Sequence, residues 1–467
     1  AAFILLAFVV ICQAIPVILQ AVEIKKSFAF KQETALVHKY QSAGYKVIQL
    51  MTANFDSPTW FVDHLGTELF SQCGPNSDKL KCFAYKSAYE EPNPAADAVF
   101  VHLPVYWHLS WNRETYPRRQ SQLWLVESTE STTHSYCWSD FTSLELLDDW
   151  FNVTVTYKSD SVLQRPYRLF RSWHDLPYYG EYMREFRKAI DTNSADNSKN
   201  RLDEYRRAIE RRANAKQTPA QVLWIVSNCE SRSQREKYVR ELSRHIPVDV
   251  FGPGCLGGRP DPCMKQGSRD SVAKAEGFQW LQDECYINLF KQYKFYLAFE
   301  NSQCNEYITE KFWKWYRADK LFALDMVPVV RGATHAQYAQ VAYSPESFIF
   351  AESFASPRHL AEYLKHLIDN STPYMTHLEW KVALAEEFFR ASDNKREWTE
   401  RYKRWEFRPL LQFCSVCEHL HNDTYMRMEN KGPAIKLSEW FHPMKDCWDR
   451  YEHKEVDRFF YKFPGCI

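Results

Sequence analysis

Residues Phe295-Tyr-Leu-Ala-Phe-Glu300-Asn-Ser-Gln-Cys-Asn305-Glu-Tyr307-Ile-Thr-Glu310-Lys311 place an apolar run, a polar loop and a helix start in direct succession. Phe295 to Phe299 suits a buried strand, and Thr309 with Glu310 opens a helix through Phe312-Trp-Lys-Trp-Tyr316. Lys311 then falls in the first helical turn. A helix N-terminus carries partial positive charge, so a lysine there is disfavoured unless an anion shares the backbone N–H groups. A nucleotide diphosphate is such an anion.

The rest of the chain supports an α/β reading. Strand-like runs occur at Tyr45–Leu50, Ala98–Leu103, Leu123–Val126 and Phe151–Tyr157, separated by turn and helix signals. Residues 181 to 217 then mix many arginines, Arg206 and Arg212 among them, with Asp, Glu, Asn and Ser, which predicts a connection with a solvated helix face. Strand and helix alternation restarts at Val222–Ser227. Phe354-Ala-Ser-Pro357 heads a further helix, with Ser356 as N-cap and Pro357 at N1. At 467 residues the chain suits two lobes rather than one core.

Lys+Arg and Asp+Glu both count 59, so no global charge recruits nucleic acid. Residues 1–22 carry no charge and approach the roughly 20 residues that span a bilayer, which predicts a signal-anchor; a cleaved secretory signal ending near Ala14 is the alternative. Either delivers the chain to the secretory lumen. Thirteen cysteines agree, since twelve remain outside that segment for bridges. Asn152-Val-Thr154, Asn370-Ser-Thr372 and Asn422-Asp-Thr424 are N-glycosylation acceptors by pattern. No Asp-x-Asp occurs, and Cys414-Ser-Val-Cys417 in an oxidising lumen suits disulfides better than zinc.

The 295–311 stretch resembles the donor signature of the α1,3/4-fucosyltransferases, glycosyltransferase family 10: aromatic-x-Leu-x-Phe-Glu-Asn-Ser, then Tyr-x-Thr-Glu-Lys. Met326-Val-Pro-Val-Val-Arg-Gly332 matches the next strand, and the likeness covers about residues 46 to 420. The resemblance implies an α/β fold of GT-B type, two Rossmann-like domains facing a cleft, preceded by the anchor. The expected order is anchor 1–22, stem 23–44, acceptor-binding domain 45–180, linker 181–217, GDP-fucose-binding domain 218–400, and a Cys-containing segment 401–467 packing back on the first domain.

The same resemblance implies site roles. Glu127 ends a strand-like run and matches the catalytic base of the family's Trp-x-x-x-Glu-Ser segment; an ion pair with an arginine is the structural alternative. Thr129 stands where proline is usual, which makes Glu130 a rival base. Arg235, Asn301, Tyr307, Glu310 and Lys311 match donor-binding positions, with Arg232 as the rival to Arg235. Lys158 and Asp160 match a Tyr-Arg-x-Asp-Ser segment, with lysine in place of arginine. Cys73 and Cys82 match a pair expected to cross-bond with Cys414 and Cys417, the local pairs being the alternative. The additional cysteines suggest a core-type enzyme.

The expectation is therefore a Golgi type II membrane enzyme. It moves L-fucose from GDP-β-L-fucose to the 3-hydroxyl of GlcNAc with inversion, on the core of glycoprotein N-glycans. Lewis-type fucosylation of N-acetyllactosamine, an inactive Golgi glycan-binding homologue and an anchored disulfide-rich interaction protein are the alternatives. No cofactor is required, cationic side chains neutralise the leaving GDP, no metal site is expected in the protein, and Mn²⁺ would be a non-essential activator.

Overall fold

The computed structural model describes residues 30–51, 65–70, 73, 80–86, 92–103, 121–133, 147–164, 167, 198–216, 218–252, 254–263, 284–316, 324–391, 411–422 and 435–448. The expected anchor, 1–22, lies outside these residues. Among the described residues no helix is long and apolar enough to cross a membrane.

Among the described residues two sheets, whose strands pair in parallel, organise the chain. The first has six strands in the order β2-β1-β3-β4-β5-β6: β1 (Lys46–Leu50), β2 (Cys82–Lys86), β3 (Ala98–His102), β4 (Leu123–Ser128), β5 (Val153–Thr156) and β6 (Leu163–Gln164). The second has five in the order β11-β10-β9-β7-β8: β7 (Val222–Ile225), β8 (Val248–Phe251), β9 (Phe295–Phe299), β10 (Val327–Arg331) and β11 (Ile349–Phe350). Their central strands are apolar nearly throughout and buried along their length, as parallel strands covered on both faces must be.

The first sheet needs the chain's C-terminal part to cover it. On one face Ile48, Leu50, Phe100, Leu125 and Val155 pack with Phe413, Val416 and Leu420 of the helix Leu411–His421. On the other, Val99, Val101, Trp124 and Val126 pack with Leu437 and Phe441. Cys73–Cys414 and Cys82–Cys417 fasten that helix to the lobe, so the bonds cross between distant segments rather than closing locally.

Helix α1 (Ser198–Asn214) lies inside the segment read as a connection with a solvated face. It is built into the second lobe as well. Tyr205, Ile209 and Ala213 repeat at helical spacing and enter the core with Val222, Phe295 and Tyr374. Its charges are anchored as well: Arg206 pairs with Glu379 at 2.9 Å, and Arg212 reaches the fully buried Asp325 at 2.6 Å.

Candidate active site

In a parallel sheet the crevice for a ligand opens beyond the carboxyl ends of strands, at the point where strand order reverses. In the second sheet that point lies between β7 and β9. Their pairing covers only Val222↔Phe295 and Leu223↔Tyr296, whereas β9 stays paired with β10 as far as Phe299↔Arg331. The strands therefore separate toward the end where the loops of the expected site begin.

Arg235 opens helix α2 (Arg235–Leu242) and bridges this separation from below. Its guanidinium donates to the carbonyl of Phe299 at 2.7 Å and to that of Asn228 at 3.1 Å, and only 4% of the residue is exposed. Burial lowers its pKa, with Glu300 and Glu236 opposing. The two terminal nitrogens of the fork expected to meet a diphosphate are thus engaged by backbone, while Nε is buried without a partner among the described residues. Ser233 knits the same floor, its N–H donating to the Asn301 carbonyl at 2.9 Å and its hydroxyl to the Glu300 carbonyl at 2.6 Å. Asn301 keeps a buried carboxamide oxygen without a partner among the described residues. Arg232 is half-buried in the same loop.

Helix α3 (Glu310–Trp313) starts where the sequence places it, capped by Thr309, whose side chain accepts from the Lys311 N–H. Glu300 grips this helix start. Its carboxylate accepts from the Thr309 N–H at 2.8 Å and the Thr309 hydroxyl at 2.6 Å, and lies 3.4 Å from Lys311 Nζ. Gly332 permits this, since a Cβ there would sit 2.5 Å from Glu300 Cγ. Lys311 also pairs with Glu310 at 2.8 Å. Burial raises the Glu300 pKa despite Lys311. For Glu310 burial also pushes upward, but Lys311 and Lys314 outweigh it and hold the carboxyl below its ordinary value. A diphosphate arriving at Lys311 would compete with two carboxylates already there.

Glu127 is the penultimate residue of β4 and is 1% exposed, opposite His102, which ends β3 and is 3% exposed. Imidazole Nδ1 and carboxylate Oε2 are hydrogen-bonded. The expected alternative of an arginine partner is replaced by a histidine. Glu130, in the turn after β4, is half-buried and accepts from the Tyr307 hydroxyl at 3.0 Å. Burial, then the charge of Glu130, pushes the Tyr307 phenol well above its ordinary pKa, so it stays an O–H donor. Tyr157 and Tyr167 pack edge-on against the Tyr307 ring. Ser131 and Ser302 add a hydroxyl contact of 2.6 Å between the same two loops. The carboxyl ends of the two sheets thus meet through the loops after β4 and β9.

Lys158 is held by the C-terminal segment. Its ammonium pairs with Asp446 at 2.9 Å and lies 4.8 Å from the Trp440 ring centroid, and Asp160 accepts from the Trp440 indole at 3.1 Å. Both residues fasten the C-terminal segment, which a sequence position alone could not reveal. Cys304–Cys447 ties the same segment to the loop after β9. Asn370 and Asn422 are exposed. Asn152 is instead taken up by the fold, accepting from the Trp124 N–H at 3.0 Å beside the buried Thr154. Cys82, Cys417 and His421 lie close enough together to suggest metal ligands, but the two sulfurs are joined as a disulfide.

Three participants escaped the sequence reading: His102, Glu300 and Arg331. Arg331 is buried and binds Glu352 at 2.6 Å, the Ser233 carbonyl at 2.6 Å and Gln303 at 2.8 Å, fixing both crevice loops. The signal for it was a charged residue closing an apolar strand, Val327–Arg331.

Comparison with known proteins agrees with this two-part layout. The family model described as "Fucosyltransferase, N-terminal" matches residues 45–168, and "Glycosyltransferase family 10 (fucosyltransferase) C-term" matches residues 214–436. The 4-galactosyl-N-acetylglucosaminide 3-alpha-L-fucosyltransferase FUT6 of Pan troglodytes is 30% identical over 349 residues, covering 74% of this chain and 72% of its own. The Pan troglodytes 3-galactosyl-N-acetylglucosaminide 4-alpha-L-fucosyltransferase FUT3 is 27% identical over 353 residues, covering 74% and 70%. A crystal structure of alpha1,3-fucosyltransferase with GDP is 16% identical with a TM-score of 0.39, covering 82% of this chain and 92% of its own.

Proposed function

Since the chain belongs to glycosyltransferase family 10, the fucosyltransferases, we propose that it transfers L-fucose from GDP-β-L-fucose to the 3-hydroxyl of a GlcNAc residue with inversion, across the cleft of a GT-B arrangement. The observation that carries this reading is the meeting of the loops after β4 and β9, where Tyr307 touches Glu130. That contact joins the loop carrying Glu130 to the loop that leads into the helix start with Lys311. Glu127 is the proposed base, with Glu130 as its rival, and Lys311 with Arg235 offsets the charge growing on GDP.

The acceptor follows from a second consideration. The cysteines that suggested a core-type enzyme form Cys229–Cys255, Cys263–Cys285 and Cys304–Cys447, all anchored outside the first sheet. Of the three only Cys304–Cys447 comes near its strand ends, where Thr132 and Thr133 contact the sulfurs. The relatives are named for galactosyl-N-acetylglucosaminides, so galactosylated GlcNAc is the acceptor of first choice and N-glycan core GlcNAc the second. A Golgi type II location is part of the proposal, supported by five disulfides among the described residues, which need an oxidising compartment. Mn²⁺ is proposed as a non-essential activator.

GDP release from GDP-fucose, measured with N-acetyllactosamine, with an N-glycan core and with neither, in Mn²⁺ and in EDTA, tests the whole. Release stimulated by lactosamine and surviving EDTA is expected. GDP binding without release on any acceptor would sink the reading and leave the inactive glycan-binding homologue.

A further inference from the structure

His102 belongs to no motif that the proposed chemistry uses, yet it closes β3 directly opposite Glu127 on β4. Both side chains are almost wholly buried. Two residues back along each strand, on the same face of the sheet, lie the buried Phe100 and Leu125. A carboxylate removed from water needs a charged or hydrogen-bonding partner to remain ionised, and a donor aimed at one oxygen also fixes the plane of the group. The imidazole meets both needs through Nδ1, and that contact selects the tautomer with its proton on Nδ1.

We propose that His102 is a positioning residue for the transfer step: its Nδ1–H holds Oε2 of Glu127 and so fixes the plane of the carboxylate. The inference rests on the reading of Glu127 as base. In that step the hydroxyl proton passes to the Glu127 carboxylate, the acceptor oxygen bonds to C1 of the fucose, and the bond from C1 to the diphosphate oxygen breaks, its electron pair leaving on GDP. His102 touches none of these atoms. Its contribution is orientation, which the donor lobe cannot sense.

That separation makes the test. In the full chain His102→Phe keeps the ring and loses the donor, while His102→Asn sets an amide nitrogen about where Nδ1 stands. His102→Phe should lower kcat about 10²-fold, the lower end of what a general base contributes. KM for GDP-fucose and the calorimetric Kd for GDP should stay within about twofold, as expected for an interaction absent from donor binding. His102→Asn should recover at least about tenfold of the lost kcat, because the Oε2 contact is restored. If His102→Phe fails to bind GDP as a folded protein, His102→Leu, also without a donor, takes its place. Wild-type kcat in a donor-less variant that binds GDP overturns the proposal. So does an asparagine variant that binds GDP normally and recovers nothing. Glu127→Gln, run alongside, separates the two levels: normal turnover there means that Glu127 is not the base, whereas a dead Glu127→Gln with an active His102→Phe condemns only the role of His102.

Discussion

The two strand-end rows handle charge in opposite ways. At the first sheet one carboxylate, Glu127, is buried against the imidazole of His102. At the second, Arg235, Lys311 and Lys314 stand among Glu300 and Glu310, with Lys311 shared by both carboxylates. A buried pair holds a carboxylate in one orientation. A shared cation can change partners, and a diphosphate offering several oxygens is the partner for which such an arrangement is suited. Chemistry and binding should therefore respond to different substitutions.

The largest effect should come from Glu127→Gln, which keeps size and hydrogen bonding but cannot take a proton. We expect kcat to fall about 10²- to 10⁴-fold, with GDP affinity near wild type by calorimetry. If Glu130→Gln is the dead variant instead, the chemistry sits at the Tyr307 contact and the contrast between the rows collapses.

Next in size is the fastening of the first row. Replacing Cys414 and Cys417 by serine removes both long-range bridges, and loss of even one native disulfide costs about 2–5 kcal/mol. Denaturant unfolding should show the first sheet destabilised. An unchanged transition would mean that packing of Phe413, Val416 and Leu420 suffices alone.

Lys311→Ala should weaken GDP binding about 10- to 10²-fold, the range for a lost charge-assisted contact, while kcat at saturation changes less. Arg235→Ala should weaken it together with stability, since the guanidinium also joins the ends of β7 and β9. Unchanged GDP affinity in both variants would remove the second row from donor binding.

The smallest effect is at Glu300. Burial holds its carboxyl above the ordinary pKa, so the folded state binds this proton more tightly than the unfolded chain does. Wild type then loses stability relative to Glu300→Gln as the pH rises through the folded pKa. The variant, which can still accept from Thr309, should gain stability with pH and bind GDP within a few-fold of wild type. A stability difference that shrinks with rising pH would show that Lys311 over-compensates the burial.

What the sequence could show was local. Strand β9, the loop after it and the Thr309 cap lie within one continuous stretch, and Ser356 caps the helix Pro357–Asp369 as its pattern implies. The pairing of His102 with Glu127 depends on the register of two strands joined by a long connection, which no spacing rule supplies. Lys158 shows the same limit, because its partner Asp446 lies 288 positions away. Helix α1 was legible only in part: it has the solvated face its charges imply, at Arg207 and Arg211, and also a buried stripe of Tyr205, Ile209 and Ala213 that those charges drew attention from.

The bridges Cys73–Cys414 and Cys82–Cys417 span 341 and 335 positions. At about 5–20 residues per second, tens of seconds of synthesis separate the two halves of each bond. Throughout that interval Phe100 and Leu125 lack the helix that will cover them, and two thiols nine positions apart are available to each other. A bond formed early between Cys73 and Cys82 must be opened by thiolate exchange once the later cysteines emerge. The lobe made first is thus the lobe finished last, and the yield of active protein should follow the capacity of the cell to exchange disulfides.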